Sequence, residues 1–134
     1  MDKEYFNKII NQTNDVIDNI IDKGHKSVCI CGSSRFSDLM AVIKWELEKK
    51  DVMATGLHLL PKWYTDNANW TESHHGAEQE NVAAILDKIH LRKIDVYDCV
   101  LVVNPQNYIG ERTSIEIDYA KEHSKEVFYW EENE

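Results

Sequence analysis

No stretch of this 134-residue sequence approaches the roughly 20 consecutive apolar residues that a bilayer-spanning helix needs, which argues against membrane insertion. Basic charge is also scarce. Fifteen Lys and Arg stand against 24 Asp and Glu, and a net charge of −9 would repel a phosphate backbone, so a nucleic-acid polymer is not the expected partner. Only three cysteines are present, which cannot all pair within one chain. Two of them, Cys29 and Cys31, sit two apart in a run that reads as a buried strand, so a reducing compartment fits best. The first residues, Met1, Asp2, Lys3 and Glu4, do not form a basic segment followed by an apolar stretch, so a cytoplasmic protein is expected. With five glycines and two prolines, no segment has the composition of a linker or a low-complexity tract, and no internal repeat is visible.

What is there is the composition of one compact domain, 43% hydrophobic and 29% charged. Residues 3 to 23 carry Phe6, Ile9, Ile10, Val16, Ile17, Ile20 and Ile21 near helical spacing, with Gly24 at the position of a left-handed cap. The apolar run 27 to 31 reads as a strand, stopped by Gly32-Ser33-Ser34-Arg35, after which Phe36, Leu39, Met40, Ile43 and Leu47 recur with a helical period. Residues 52 to 60 read as a second strand and 62 to 76 as a loop or lid. Residues 77 to 96 then read as one long helix, 99 to 103 as a continuously apolar strand, 113 to 123 as a helix, and 127 to 130 as a last strand.

This alternation predicts a single α/β domain over 1–134, with an N-terminal amphipathic helix over 1–24 and an α/β core over 27–130. The expected architecture is a flavodoxin- or Rossmann-like three-layer sandwich with a mostly parallel sheet of four to five strands. Ligands of such folds bind outside the carboxyl ends of the strands at a topological switch, which singles out the loops 32 to 36, 61 to 76 and 104 to 114.

Gly32, Ser33, Ser34 and Arg35 offer backbone N–H groups, hydroxyls, a helix start and a guanidinium, enough to hold a phosphate or a ribose. The same residues also suit an ordinary capped turn. The turn lacks the lysine and further glycines of a Walker loop or a dinucleotide fingerprint. In the second constellation, Gly110 permits a sharp turn, and Thr113 or Ser114 is expected to cap a helix with Glu116 in its first turn. There Glu116 is either a reactive carboxylate at the ligand edge of the sheet or a simple helix cap. Trp63, Tyr64 and Trp70 offer rings either for stacking on a base or for packing and subunit contact. His58, His74 and His75 with Cys29 and Cys31 raise the question of a metal, but a strand Cys pair without a second pair argues against one, and we expect no metal and no cofactor.

The strand followed by Gly32-Ser33-Ser34-Arg35, the long helix leading to Asp98 and an apolar strand, and Gly110 to Ala120 with Glu116-Ile117-Asp118-Tyr119-Ala120 together resemble the nucleoside 2-deoxyribosyltransferase superfamily, which includes 2′-deoxynucleoside 5′-monophosphate N-glycosidases. The resemblance covers roughly residues 27 to 130. It implies that Glu116 attacks the anomeric carbon and forms a covalent glycosyl intermediate, resolved by a second base or by water. It further implies that His90, or Asp87 one turn earlier, assists the leaving base in place of the family's Asp. Gly32 to Arg35, Gly110, Arg112, Thr113 and Ser114 would hold sugar or phosphate, and Trp63, Tyr64 and Trp70 would cover the base. The implied partner is a nucleoside or nucleotide in a homo-oligomeric protein. The missing Asp leaves open a non-catalytic protein that senses or sequesters such a ligand in the same pocket.

Overall fold

The computed structural model describes residues 2–57, 60–68 and 80–132. The first helix, α1 (Lys3–Asp22), starts where the Asp2 carboxylate accepts a hydrogen bond from the Glu4 N–H at 2.8 Å, and it ends at Gly24, whose φ of 84° turns the chain away. Its buried stripe is Thr13, Val16, Ile17 and Ile20, spaced at three and four residues. Ile17 and Ile20 are wholly buried, each stabilising the docked helix by about 2 kcal/mol. The indole N–H of Trp130 donates to Thr13 Oγ1 at 3.0 Å, and Gln12 donates to the Trp130 carbonyl at 3.1 Å. The buried face of this amphipathic helix therefore covers the protein's own sheet.

The remaining elements are β1 (Ser27–Gly32), α2 (Ser37–Lys49), β2 (Met53–Thr55), α3 (Lys62–Asn67), α4 (Ala83–Val96), β3 (Cys99–Val103), α5 (Glu111–Glu122) and β4 (Glu126–Tyr129). The four strands form one parallel sheet in the order β2-β1-β3-β4. Every residue of β1 and β3 is buried, as their continuous apolar character requires of strands covered on both faces. Alternation along β1 sends Val28 and Ile30 to the face covered by α1 and α2, and Cys29 and Cys31 to the opposite face, among Ile94 of α4 and Ile117 and Ala120 of α5. The result is the three-layer sandwich expected from the sequence, with four strands. No helix among the described residues is long and apolar enough to cross a membrane.

Strand order places the topological switch between β1 and β3. From β1 the chain passes through α2 to β2 at one edge, then returns through α4 to the other side of β1. At the carboxyl end of this pair Gly32 is opposite Val103, where an added Cβ would stand 3.1 Å from the Val103 carbonyl oxygen and 3.3 Å from its Cβ. Glycine is what lets the two strands stay adjacent there. At the opposite end, Asp98 accepts a hydrogen bond from the Lys26 N–H at 2.8 Å while its own N–H donates to Ser27 Oγ at 2.8 Å, joining the starts of β1 and β3.

Several boundaries differ from the sequence expectation. The second strand, at the edge of the sheet, pairs with β1 over only three residues, Met53 to Thr55 against Ser27 to Cys29. The segment expected as a loop or lid opens with a helix, α3, held by the Lys62–Asp66 pair at 2.7 Å and by Asn67 donating to the Trp63 carbonyl at 2.8 Å. The fourth helix begins at Ala83, because Asn81 before it takes a left-handed φ of 58°. The fifth begins two residues earlier than expected, at Glu111.

Candidate functional site

The sharp turn after β3 is made without glycine. Gln106 and Asn107 take φ values of 56° and 60°, whereas Gly110 is extended (φ −75°, ψ 172°) and serves as the N-cap of α5 without a side chain. Asn104, buried at the end of β3, holds this turn to the chain after β4. Its Oδ1 accepts from the Glu131 N–H at 2.9 Å and its Nδ2 donates to the Glu131 carbonyl at 3.0 Å.

The earlier start of α5 changes what Glu116 is. With Gly110 as N-cap, the first-turn acid is Glu111, Thr113 and Ser114 lie inside the helix, and Glu116 falls in the second turn. It is too far along to form a capping box or to satisfy a free N–H of the first turn. Its position is explained instead by the side it faces. One turn before Ala120 and beside Ile117, it points to the sheet, and it is only 7% exposed.

Three other groups converge on it there. His90, 4% exposed and on the sheet-facing side of α4, places Nε2 3.6 Å from Glu116 Oε1. The same nitrogen lies 3.1 Å from the Cys31 sulfur and 3.8 Å from that of Cys29. Burial raises the Glu116 carboxyl to about 7, with the His90 charge and the Cys31 hydrogen bond opposing and the Cys29 and Asp87 charges adding to the rise. Burial pulls His90 down, but the hydrogen bond and charge of Cys29 and the charge of Glu116 outweigh it, and the net direction is up. Between the thiols, the hydrogen bond they share holds Cys29 below the ordinary range and, with burial, pushes Cys31 above it.

Closer to solvent, Arg112 Nε stands 3.7 Å from Asp87 Oδ2, with both side chains about half exposed. The pair bridges the second turn of α4 and the first turn of α5, although at that exposure it contributes under about 1 kcal/mol. On the other side of the switch, Ser33 Oγ accepts from the Arg35 N–H at 3.3 Å, giving the turn after β1 its cap. The Arg35 guanidinium lies 4.2 Å from the centroid of the Tyr108 ring, and Phe36 meets that ring edge-on at 5.9 Å. These contacts bring the loops after β1 and β3 together across the carboxyl ends of the strands. Trp63 and Tyr64 pack edge to face at 6.0 Å on α3 and are 68% and 41% exposed. Trp70, His58, His74 and His75 lie outside the described residues.

The structure thus gathers Glu116, His90 and Asp87 on one side of the switch and Gly32 to Arg35 on the other. The sequence reading missed Cys29 and Cys31 as neighbours of His90. The signal was present, since residues two apart in a strand share a face, but which helix residue covers that face depends on how α4 sits on the sheet. Compared with known proteins, the chain matches no family model, no curated protein and no solved structure.

Proposed function

We propose that this protein cleaves or exchanges the N-glycosidic bond of a nucleoside or nucleoside 5′-monophosphate, with Glu116 as nucleophile. The observation that carries the reading is a carboxylate buried in the second turn of α5, at the carboxyl side of the sheet, with no capping duty and with an imidazole 3.6 Å away. A buried carboxylate that stabilises nothing in its own helix is costly, and such costs concentrate where chemistry is done. The resemblance of residues 27 to 130 to the nucleoside 2-deoxyribosyltransferase superfamily supplies the reaction class.

In the first step a Glu116 oxygen attacks the anomeric carbon, the bond from that carbon to the base nitrogen breaks, and its electron pair leaves with the base, which takes up a proton. In the second, water or another base attacks the same carbon, loses its proton to solvent, and releases Glu116 as carboxylate. Asp87 precedes His90 by one turn on a helix that runs from the carboxyl edge of the sheet towards the amino edge, so it lies nearer the crevice. We assign Asp87 to the departing base and His90 to positioning Glu116. Arg35, Ser33 and Ser34 hold the sugar or its 5′-phosphate, and Arg112, Thr113 and Ser114 complete the second rim.

A chromatographic assay for free base, run on nucleosides and 5′-monophosphates with and without an acceptor base, tests this. Release that Glu116→Gln loses supports it. A nucleotide-dependent rise in melting temperature with no release from any substrate would replace the reading with a nucleotide-binding protein.

A further inference from the structure

The inward face of β1 carries two thiols at residues 29 and 31, and α4 lays an imidazole against both. The ligand atoms of Cys29, Cys31 and His90 all lie within 4.8 Å of one another, and all three residues are buried. Glu116 Oε1 stands 3.6 Å from the same imidazole nitrogen. We propose that Cys29, Cys31, His90 and Glu116 form a tetrahedral site for a single soft or borderline divalent cation of the zinc class.

The distances suit such an ion. With bonds of about 2.3 Å to sulfur and about 2.0–2.1 Å to nitrogen and oxygen, ligand atoms at tetrahedral angles stand about 3.4–3.8 Å apart. Those on His90 stand 3.1 Å from Cys31, 3.8 Å from Cys29 and 3.6 Å from Glu116. The His90 contacts therefore need shifts of only a few tenths of an ångström, whereas the Glu116 carboxylate, which lies outside the cluster of ligand atoms within 4.8 Å of one another, swings in as the fourth ligand. Two thiolates with one imidazole select a soft or borderline ion over magnesium or calcium, which prefer oxygen alone. The surroundings argue the same way. Ile94, Val100, Val102, Ile117 and Ala120 pack around the thiols, and four polar groups converging in such a setting are best satisfied by one cation that uses all of them. Binding displaces the thiol protons to solvent.

The site also bears on the activity proposed above, and this consequence rests on that reading. A carboxylate oxygen bound to the ion cannot attack an anomeric carbon, so occupancy switches base release off. Zinc is then a reversible inhibitor rather than a cofactor.

The test uses the full chain, reduced and stripped of metal with a chelator, and titrated with Co²⁺ and then Zn²⁺. Expected are one equivalent of Co²⁺, a thiolate-to-cobalt charge-transfer band, intense tetrahedral d–d absorption, and displacement of both signals by Zn²⁺. Cys29→Ala and Cys31→Ala should each weaken the charge-transfer band, and together abolish it. No charge-transfer band in the wild type, or a band that survives the double substitution, overturns the site. The wild-type spectrum decides even if a variant fails to fold. Base release that continues undiminished at saturating Zn²⁺ removes Glu116 from the ligand set. If the metal-free protein releases no base while the cobalt spectrum appears as described, the N-glycosidic reading falls and the metal site stands.

Discussion

His90 Nε2 on α4 and Glu116 Oε1 on α5 face each other at 3.6 Å beneath two helices that pack side by side on one face of the sheet. Their burial has a consequence for stability that is separate from the proposed reaction. The Glu116 carboxyl is raised from 4.5 to about 7, chiefly by burial, so the folded state holds its proton more tightly than the unfolded chain does. The cost of ionising it is absent below the unfolded value, grows as pH rises, and is complete above about 7. Urea unfolding of the chelator-treated protein should therefore show Glu116→Gln gaining on the wild type between pH 5 and 8, by about 1–3 kcal/mol at the upper end. A difference that does not change with pH would mean the carboxylate is solvated in the folded protein.

Asp98 has the opposite sign. The hydrogen bond from the Lys26 N–H lowers its carboxyl, with the Ser27 contacts and the His25 charge helping against burial. Its contribution is present above the ordinary carboxylate value of about 4 and is lost as pH falls through the lower folded value. Asp98→Asn should be less stable than the wild type at pH 7 by about 1 kcal/mol or less, since the site is largely exposed. The gap between the two proteins should narrow as pH falls below about 4. Chemical denaturation at pH 7 and at successively lower pH checks this.

The hydrogen bond from Trp130 to Thr13 ties α1 to the chain after β4 in the interior. Thr13→Val keeps the volume and leaves the buried indole N–H without its acceptor, so a loss of about 1–3 kcal/mol is expected. Replacing Trp130 by Phe in the Thr13→Val background should then cost less than the same replacement in the wild type, because the N–H is already unpaired. A double-mutant cycle by urea unfolding measures the coupling. Additive losses would show that the contact contributes nothing.

The fold was legible in the sequence where periodicity was strong. The continuous apolar runs of β1 and β3 and the extent of α1 appear within a residue of where they were expected, because burial leaves a direct trace in residue type, although Phe6 and Ile21 of the expected α1 stripe are exposed. Boundaries governed by single backbone dihedrals left no such trace. The turn after β3 uses left-handed Gln106 and Asn107 rather than Gly110, and this moves the start of α5 and takes Glu116 out of the first turn. For the site, the sequence pointed to Glu116, His90 and Asp87 through the resemblance. It could not point to the thiols' contact with His90, which depends on the seating of α4 across the sheet, a relation between elements rather than a pattern within one. The cap at Ser33 was legible, but the Arg35–Tyr108 contact joins residues more than seventy positions apart.

The central claim is a covalent bond between Glu116 and the sugar. In a 2′-fluorinated arabinosyl nucleoside or nucleotide the fluorine slows both steps of a retaining mechanism, while a good leaving base keeps the first step fast, so the intermediate accumulates. Intact-protein mass spectrometry of the metal-free protein after incubation with such a substrate should show one added glycosyl group. Peptide mapping should locate it on Glu116, with no adduct in Glu116→Gln. A wild-type protein that releases base from the same substrate but carries no adduct, or carries it on another residue, would contradict the mechanism.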